Sequence, residues 1–188
     1  MHSARRLFAA SRPISRTLAE AYLRDRGVTR LSDLASLRFH SRCFYWRDAD
    51  SPKQSLPAMI AAVTDLDGAI TGVQRTWIEP SGRGKAQIET PRRAMGDLLG
   101  NAVRFGKALD CLAAGEGIET MLSLRSVMPT LPMMAALSAA NLAASCFRSR
   151  YAGSMSQAIT IPRASAPRRD WSTGRTRSGS RRSFCRRA

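Results

Sequence analysis

Two stretches near the start of the chain show the hydrophobic spacing of helices. Residues 3–10 predict a short helix. A second helix is predicted over residues 17–26, because Thr17-Leu18-Ala19-Glu20 has the form of a capping box. Gly27 follows where a helix often ends in a left-handed conformation. The chain therefore begins with two helices.

β-Prone runs with a period of two follow. Cys43–Trp46 predicts a strand, and residues 58–64 and 69–78 predict a hairpin around the turn Asp65-Leu66-Asp67-Gly68. In the second hairpin strand, alternation places Val73, Arg75 and Trp77 on the face opposite Gly72, Gln74 and Thr76. Asp65 and Asp67 have the spacing of a metal-binding pair, but in this setting we interpret both as turn formers that bond the local backbone.

The most distinctive pattern lies around Glu116. Small and apolar residues from 111 run into Gly115-Glu116-Gly117, and helical spacing begins at Ile118. This predicts a buried strand, a tight turn and an amphipathic helix. The glycines are expected to supply backbone angles closed to other residues and to leave the Glu116 carboxylate uncrowded at the carboxyl end of the strand. The alternative is that Glu116 only caps the helix.

A second strand and helix follow. Residues 133–137 predict a strand, and residues 138–144 predict a helix capped by Ser138. This βαβα order implies a parallel pair with a right-handed crossover. The fold class is therefore α+β, with helices and an antiparallel hairpin over residues 1–100 and a partial α/β unit over residues 101–145.

The composition changes at about residue 146. The last 43 residues hold 11 arginines and one acid, Asp170, and they account for most of the net charge of +16. Because this segment has little apolar area to bury, residues 146–188 are predicted to be a largely disordered tail. The excess of positive charge suits a polyanionic partner such as nucleic acid.

The cysteines and the hydropathy narrow the class of protein further. Four isolated cysteines, without a Cys-x-x-Cys pair, exclude a zinc ribbon or finger. No apolar run is long enough to cross a membrane, and no secretory segment is recognisable. We therefore expect a cytoplasmic protein with reduced thiols and no membrane partner.

The strand, Glu116-Gly117 and the following helix resemble the first motif of the Toprim domain, found in bacterial-type DNA primases and topoisomerases. In addition, Tyr22-Leu23, Arg26-Gly27 and Arg38-Phe39 resemble the start of the primase catalytic core. The resemblance to Toprim-type DNA primases extends over about residues 5–145. It implies RNA primer synthesis on single-stranded DNA for a plasmid, phage or other mobile element, with nucleotides as substrates and a replicative helicase as a possible partner.

The resemblance also implies site residues. Glu116 would be the catalytic and metal-binding acid, and Gly115 and Gly117 would form the turn around it. An Asp-x-Asp after a later strand would complete the Mg²⁺ site. Many primases carry a further acid four positions after the glutamate, where this chain has Thr120, with Glu119 one residue early. A groove for template or nucleotide phosphates would be lined by Arg75, Lys85, Arg92 and Arg93.

The tail does not fit this resemblance, because no Asp-x-Asp follows Glu116 in the chain. The tail is either an arginine-rich arm that binds nucleic acid or a frame-shifted reading of a GC-rich gene. We expect the sheet to lack its third strand and the chain to be a truncated, catalytically inactive primase fragment. The alternative function is a non-catalytic basic nucleic-acid-binding protein.

Overall fold

The computed structural model describes residues 2–107, 111–151 and 157–161, and the elements below belong to these ranges. Two β-sheets and several helices form an α+β fold, as the sequence predicts. Within the described ranges, no helix is both long and apolar enough to cross a membrane. In chain order the elements are α1 (His2–Ala9), β1 (Arg12–Pro13), α2 (Leu18–Asp25), β2 (Leu37–Tyr45), β3 (Gln54–Thr64), β4 (Ile70–Trp77), β5 (Arg92–Gly96), β6 (Val103–Phe105), β7 (Cys111–Gly115), α3 (Ile118–Val127), β8 (Met133–Ala135), α4 (Ala139–Tyr151) and β9 (Gln157–Ile161).

The predicted helices of the N-terminal region are observed. Thr17 is the N-cap of α2, and its hydroxyl accepts a hydrogen bond from the amide of Ala19 at 3.2 Å. Glu20 accepts from the amide of Arg16 at 2.6 Å, so the second half of the capping box is displaced by one residue. Gly27 has φ +73°, the left-handed conformation that was predicted to end this helix.

The first sheet has the strand order β1-β2-β3-β4-β5, and every neighbouring pair is antiparallel. The hairpin predicted around residues 65–68 is formed by β3 and β4. Asp65 Oδ1 accepts hydrogen bonds from the amides of Asp67 and Ala69, at 3.1 and 2.8 Å. The interpretation of Asp65 as a turn former is thus confirmed.

β2 joins two segments that the sequence pattern treats separately, Arg38-Phe39 and the run that begins at Cys43. Its pairing with β3 shifts register between His40 and Cys43. Such an irregularity changes which face the following side chains occupy. As a result, Phe39 contributes to one core, whereas Cys43 and Tyr45 contribute to the core on the other side of the sheet.

Strand β5 is not among the strands that the sequence pattern predicts. The segment pairs with β4 along its whole length, from Arg92 opposite Thr76 to Gly96 opposite Gly72. A Cβ at Gly96 would lie 2.5 Å from the Thr71 carbonyl oxygen, and Gly96 has φ +103°. This glycine therefore permits the close approach of two backbones at the end of the pair.

The second sheet has the strand order β6-β8-β7-β9. β7 pairs in parallel with β8 across α3, which confirms the predicted parallel unit. The sequence predicts no third parallel strand, and this prediction is wrong, whereas the predicted boundary at residue 146 stays a prediction. α4 continues to Tyr151, and β9 pairs in parallel with the other edge of β7 because its β-prone residues meet free backbone groups there. Most of the predicted tail lies outside the described residues.

Three apolar clusters connect these layers. The largest lies between one face of the first sheet, α2, α3 and one face of the second sheet, and it includes Tyr22, Met59, Met121 and Met133. A second cluster lies between the first sheet and α1, and a third packs Leu142 of α4 on the opposite face of the second sheet. α3 and α4 thus cover opposite faces of that sheet. The predicted division at residue 100 falls between β5 and β6 and stays a prediction.

Candidate functional site

A cavity of about 670 Å³ opens where two turns of the second sheet meet strands β4 and β5 of the first. The two turns, β7 to α3 and β8 to α4, follow the carboxyl ends of parallel strands, where α/β sheets commonly place ligands. The cavity is lined by Arg26, Gln74, Arg92, Arg93, Ala94, Leu98, Leu99, Glu116, Gly117, Ile118, Glu119, Thr120, Ala136, Leu137, Ser138, Ala140 and Asn141.

Glu116 enters this cavity from the end of β7. Its backbone carbonyl accepts the amide of Leu137 at 2.9 Å, which joins the two turns. Among the described residues its carboxylate makes no hydrogen bond or ion pair, and the N-cap of α3 is Gly117, without a side-chain cap. The alternative that Glu116 caps the helix is therefore not observed. Leu137 has φ +75°, a conformation that costs energy for a leucine and often marks a functional site.

The two glycines beside Glu116 lie at the turn as predicted, but the expectation that they supply unusual backbone angles is wrong. Gly115 and Gly117 do not have positive φ angles, and Gly117 is extended at φ −96° and ψ 134°. Space matters more than backbone freedom at Gly117, because a Cβ there would lie 3.2 Å from Thr120 Oγ1. The hydroxyl of Thr120 thus fills the space that a side chain at position 117 would need.

Glu119 is held by two partners on different elements. Tyr22 of α2 donates its hydroxyl hydrogen to Glu119 Oε1 at 2.6 Å, and Arg92 of β5 forms an ion pair with the same oxygen. Burial alone would raise the pKa of Glu119. The charge of Arg92 and the hydrogen bond from Tyr22 outweigh burial and hold that pKa below its ordinary value. Burial and the charge of Glu119 raise the pKa of Tyr22, so its phenol remains a donor.

A second arginine extends this cluster. The Arg26 guanidinium carbon lies 3.8 Å from the centre of the Tyr22 ring, within the range of a cation–π contact. Both Arg26 and Arg92 line the cavity. Nε of Arg92 is buried and has no hydrogen-bond partner among the described residues. The cavity therefore has a cationic wall, although Glu119 offsets part of the charge of Arg92 and Asp25 Oδ2 lies 3.8 Å from Arg26 Nη1.

The remaining wall is apolar and is fixed by Asn141. This side chain accepts the amide of Gly100 at 2.8 Å and donates to the carbonyls of Asn101 and Ala136, at 2.8 and 2.7 Å. These bonds tie the loop that carries Leu98 and Leu99 to the start of α4. Leu99 is 71% exposed although it is a large apolar residue. The cavity thus combines a charged side with an apolar side.

The structure does not bring the four predicted basic residues together on one face. Arg75 and Arg93 are directly opposite each other on β4 and β5, whereas Arg92 is one position along and faces the other way. The Arg75 guanidinium carbon lies 5.1 Å from the centre of the Trp77 ring, and that of Arg93 lies 5.0 Å from the centre of the Tyr45 ring. Both rings belong to the core beside α1.

Arg75, Arg93 and Lys85 each have surroundings that differ from those of Arg92. Burial and the neighbouring charge of Arg93 lower the pKa of Arg75. Arg93 is among the cavity-lining residues, but its guanidinium donates to the carbonyls of Trp46 and Arg47, at 2.7 and 3.0 Å. Lys85 forms a bridge with Ile78 in the loop between β4 and β5 and does not line the cavity. The phosphate-binding roles of all four residues stay predictions.

The residues at Glu116 do not form a magnesium cage within the described part of the chain. Mg²⁺ requires several oxygen ligands in octahedral geometry. Of the two cavity carboxylates, that of Glu119 is engaged by Arg92 and Tyr22, and no group of three possible ligands is found among the described residues. The sequence after β9 continues Pro162-Arg163-Ala164 and supplies no Asp-x-Asp. The donor set of the described residues therefore does not fit Mg²⁺.

Three residues at the site, the cavity-lining Glu119 and Asn141 and the neighbouring Tyr22, were not assigned a role from the sequence. Tyr22 lies in the motif that resembles the primase core, and the position of Glu119 was noted only as a departure from that pattern. Their contact joins residues 97 positions apart, which no local periodicity predicts. Asn141 lies three residues after the predicted cap Ser138, and its amide bonds to the Ser138 hydroxyl at 3.2 Å. In the sequence, Asn141 could have been noticed as a polar residue in the otherwise apolar first turn of the predicted helix.

Comparisons with known proteins add a family and one structural likeness. The model of a family described as a domain of unknown function (DUF7146) matches residues 1–105. No curated protein matches the chain. The solved structures to which the chain is similar include the primase fragment of the bacteriophage T7 primase-helicase protein, at 12% identity and a TM-score of 0.45. That likeness covers 81% of this chain and 54% of the other, so this chain spans about half of that structure.

Proposed function

Since this chain belongs to the family described as a domain of unknown function (DUF7146), we propose a function from its own residues: it binds nucleotides and single-stranded nucleic acid at the Glu116 cavity. The chain is a Toprim-type, primase-like protein in this proposal. Its parent activity is RNA primer synthesis on single-stranded DNA of a plasmid, phage or other mobile element, and a replicative helicase is a possible partner.

The position of Glu116 carries this proposal. An acid without a described partner lies at the carboxyl end of a central parallel strand, on a cavity bounded by a cationic wall and an apolar wall. Phosphate oxygens suit the guanidinium groups of Arg26 and Arg92, because arginine presents several donors in a planar fork. A base suits the apolar side formed by Leu98 and Leu99. The strand–Glu–Gly–helix order, which resembles the Toprim motif, supports the same interpretation.

We propose further that the chain binds without synthesising primers. Phosphoryl transfer on Mg²⁺ needs carboxylates that converge on the ion, and Glu116 is the only cavity acid without a partner among the described residues. A magnesium site at Glu116 stays a prediction that requires acids outside the described ranges. The residues present here bind and orient an anionic ligand, and no chemical step is assigned to them.

Mononucleotide binding tests the site without relying on catalysis. In the presence of a chelator, the Glu116→Gln variant should bind ATP about threefold more tightly than the wild type, because a carboxylate a few ångströms from a phosphate repels it. Glu89→Gln is the matched control, since it removes the same charge from a residue that does not line the cavity. Equilibrium dialysis measures both. Equal affinities of wild type and Glu116→Gln would contradict binding at this cavity.

A primer-synthesis assay with Mg²⁺, nucleotides and single-stranded DNA tests the inactive state, alongside filter binding across a salt series. We expect salt-sensitive DNA binding and no product. Detectable primers that disappear in Glu116→Gln would contradict the proposal that the chain is inactive.

A Mg²⁺-dependent gain in ATP affinity that Glu116→Gln abolishes would establish the predicted metal site. The second candidate function, a basic binding protein that does not use the cavity, is favoured if DNA binds and ATP does not.

A further inference from the structure

Two aromatic side chains protrude from the end of β2. Phe44 is 61% exposed and Trp46 is 41% exposed, whereas Cys43 and Tyr45 are buried in the core beside α1. Phe44 lies in β2 and Trp46 directly follows its last residue, and burial alternates from Cys43 to Trp46 as it does along a strand. We infer from this alternation that the two exposed rings share a face, at the spacing of about 7 Å between residues two apart in an extended chain. We call Phe44 and Trp46 the aromatic platform. Large rings exposed side by side usually mark an interaction surface.

Positive charge flanks the aromatic platform. Arg42 lies two residues before Phe44 and is exposed, and Lys53 Nζ lies 5.9 Å from the centre of the Trp46 ring. Within the described ranges neither side chain forms an ion pair. Arg47 differs, because Asp48 and Glu89 lie 2.9 and 3.6 Å from its Nε and offset its charge. The two charges nearest the rings therefore remain available to an anionic partner.

The aromatic platform is attached to the strand that borders the Glu116 cavity. Arg93 of β5 donates hydrogen bonds to the backbone carbonyls of Trp46 and Arg47. Its neighbours on the same strand, Arg92 and Ala94, line the cavity. The hydrogen bonds fix the backbone beneath the Trp46 ring. A rigid ring loses little conformational entropy when a planar ligand stacks on it.

We propose that the aromatic platform binds single-stranded nucleic acid, with bases stacked on Phe44 and Trp46 and phosphates bound by Arg42 and Lys53. Exposed rings between unpaired cations are the combination that binds single strands with little sequence preference. The inference rests on the proposed function for the choice of partner, but it assigns a second contact surface outside the cavity. The net charge of +16 complements the same partner.

Tryptophan fluorescence tests the proposal directly in the full chain. The chain has three tryptophans, of which Trp77 is fully buried, so a Trp171→Phe background leaves Trp46 as the accessible one. Adding an oligothymidylate should quench the Trp46 emission and protect it from acrylamide. The emission of Trp77 should not change, and it also reports whether each variant is folded.

Substitutions separate stacking from charge. Phe44→Ala and Trp46→Ala should each weaken oligothymidylate binding by at least about fivefold, and Trp46→Phe should retain most of the affinity because a ring remains. Lys53→Gln should lower the slope of log affinity against log salt by about 1. Val127→Ala is the matched control, since Val127 is an exposed apolar residue at the end of α3. It should bind as the wild type does.

ATP binding distinguishes failure of this inference from failure of the proposed function. If ATP binds while the oligonucleotide leaves Trp46 unquenched, or if Trp46→Ala binds the oligonucleotide as tightly as the wild type, the aromatic platform is not a nucleic-acid surface and the cavity proposal stands. If neither ligand binds, both proposals are wrong. Platform variants that weaken the oligonucleotide and leave ATP affinity unchanged support the inference.

Discussion

The two faces of the β4–β5 pair use arginine differently. On the cavity face, Arg92 has an acid partner, Glu119, and a tyrosine shares that acid. On the face toward α1, Arg75 and Arg93 have no acid partner among the described residues and instead contact the rings of Trp77 and Tyr45. Arg92 and Arg93 are adjacent in sequence, so strand alternation alone separates their environments.

This difference shows how charge is distributed around the cavity. Arg92 is fixed by Glu119, so its position is set before any ligand arrives. Arg75 and Arg93 are stabilised by ring faces and carbonyl oxygens, which leave their net charge in place. The cavity face is therefore organised around an ion pair, and the opposite face is organised around aromatic packing.

The largest expected effect comes from removing the acid of the ion pair. Glu119→Ala should lower the free energy of unfolding by about 3 kcal/mol, because it leaves Arg92 partly buried without its counter-charge. Only 15% of the Glu119 side chain is exposed. Glu116→Ala is the matched control, and it should change stability by less than about 0.5 kcal/mol because its carboxylate has no described partner. Urea unfolding measures both, and equal losses would contradict the distinction between these two acids.

Removing the charge should destabilise the protein at Arg92, on the cavity face, but not at Arg75, on the face toward α1. Arg92→Met should cost about 2 kcal/mol, since Glu119 then stays buried with only Tyr22 as a donor. Arg75→Met should stay within about 0.5 kcal/mol of the wild type or be more stable, because it removes a partly buried charge that has no counter-ion and keeps an apolar stem beside Trp77. Thermal and urea unfolding of the two variants, run side by side, check this pair. A large loss in Arg75→Met would show that the α1 face also depends on charge.

Ionisation of Glu119 should contribute to the pH dependence of the free energy of unfolding. Its folded pKa is held below the unfolded value, so its ion pair is present above about pH 4.3 and is lost as the pH falls through the folded pKa. The free energy of unfolding of the wild type should therefore fall more than that of Glu119→Gln between neutral and strongly acidic pH. The other acids titrate in both proteins and cancel. Parallel pH profiles would contradict this contribution.

The sequence predicts local structure in this molecule better than it predicts contacts. The α2 helix, the β3–β4 hairpin, the turn role of Asp65 and the parallel β7–β8 unit all follow from short patterns, because capping, alternation and turn chemistry act over a few residues. β5 and β9 were not predicted because each depends on the backbone edge that it pairs with, and β9 is a short β-prone run within an arginine-rich segment.

The candidate site was predictable in its centre and not in its surroundings. Glu116 could be found because a strand, an acid between glycines and a helix occupy adjacent positions. The pairing of Glu119 with Tyr22 and Arg92 joins three elements that are far apart in sequence. Arg75 and Arg93 lie on the other face of the β4–β5 pair from Arg92, which the sequence could not indicate because β5 was not among the predicted strands. Their phosphate-binding roles stay predictions. Once β5 is a strand, period-two alternation separates Arg92 from its neighbour.

The smallest expected effect concerns Arg93, which fixes the aromatic platform to β5. Arg93→Lys keeps the charge but cannot donate to the carbonyls of Trp46 and Arg47 in the same forked geometry. Because these bonds are exposed, the change should cost only about 0.5–1 kcal/mol of global stability. It should act mainly on the backbone beneath the Trp46 ring, so acrylamide quenching of Trp46 should increase while the emission of the buried Trp77 stays constant. Arg12→Lys, another exposed arginine that contacts a ring, should change neither signal. Unchanged Trp46 quenching in Arg93→Lys would show that the platform is fixed by the β2–β3 hairpin itself and not by this arginine.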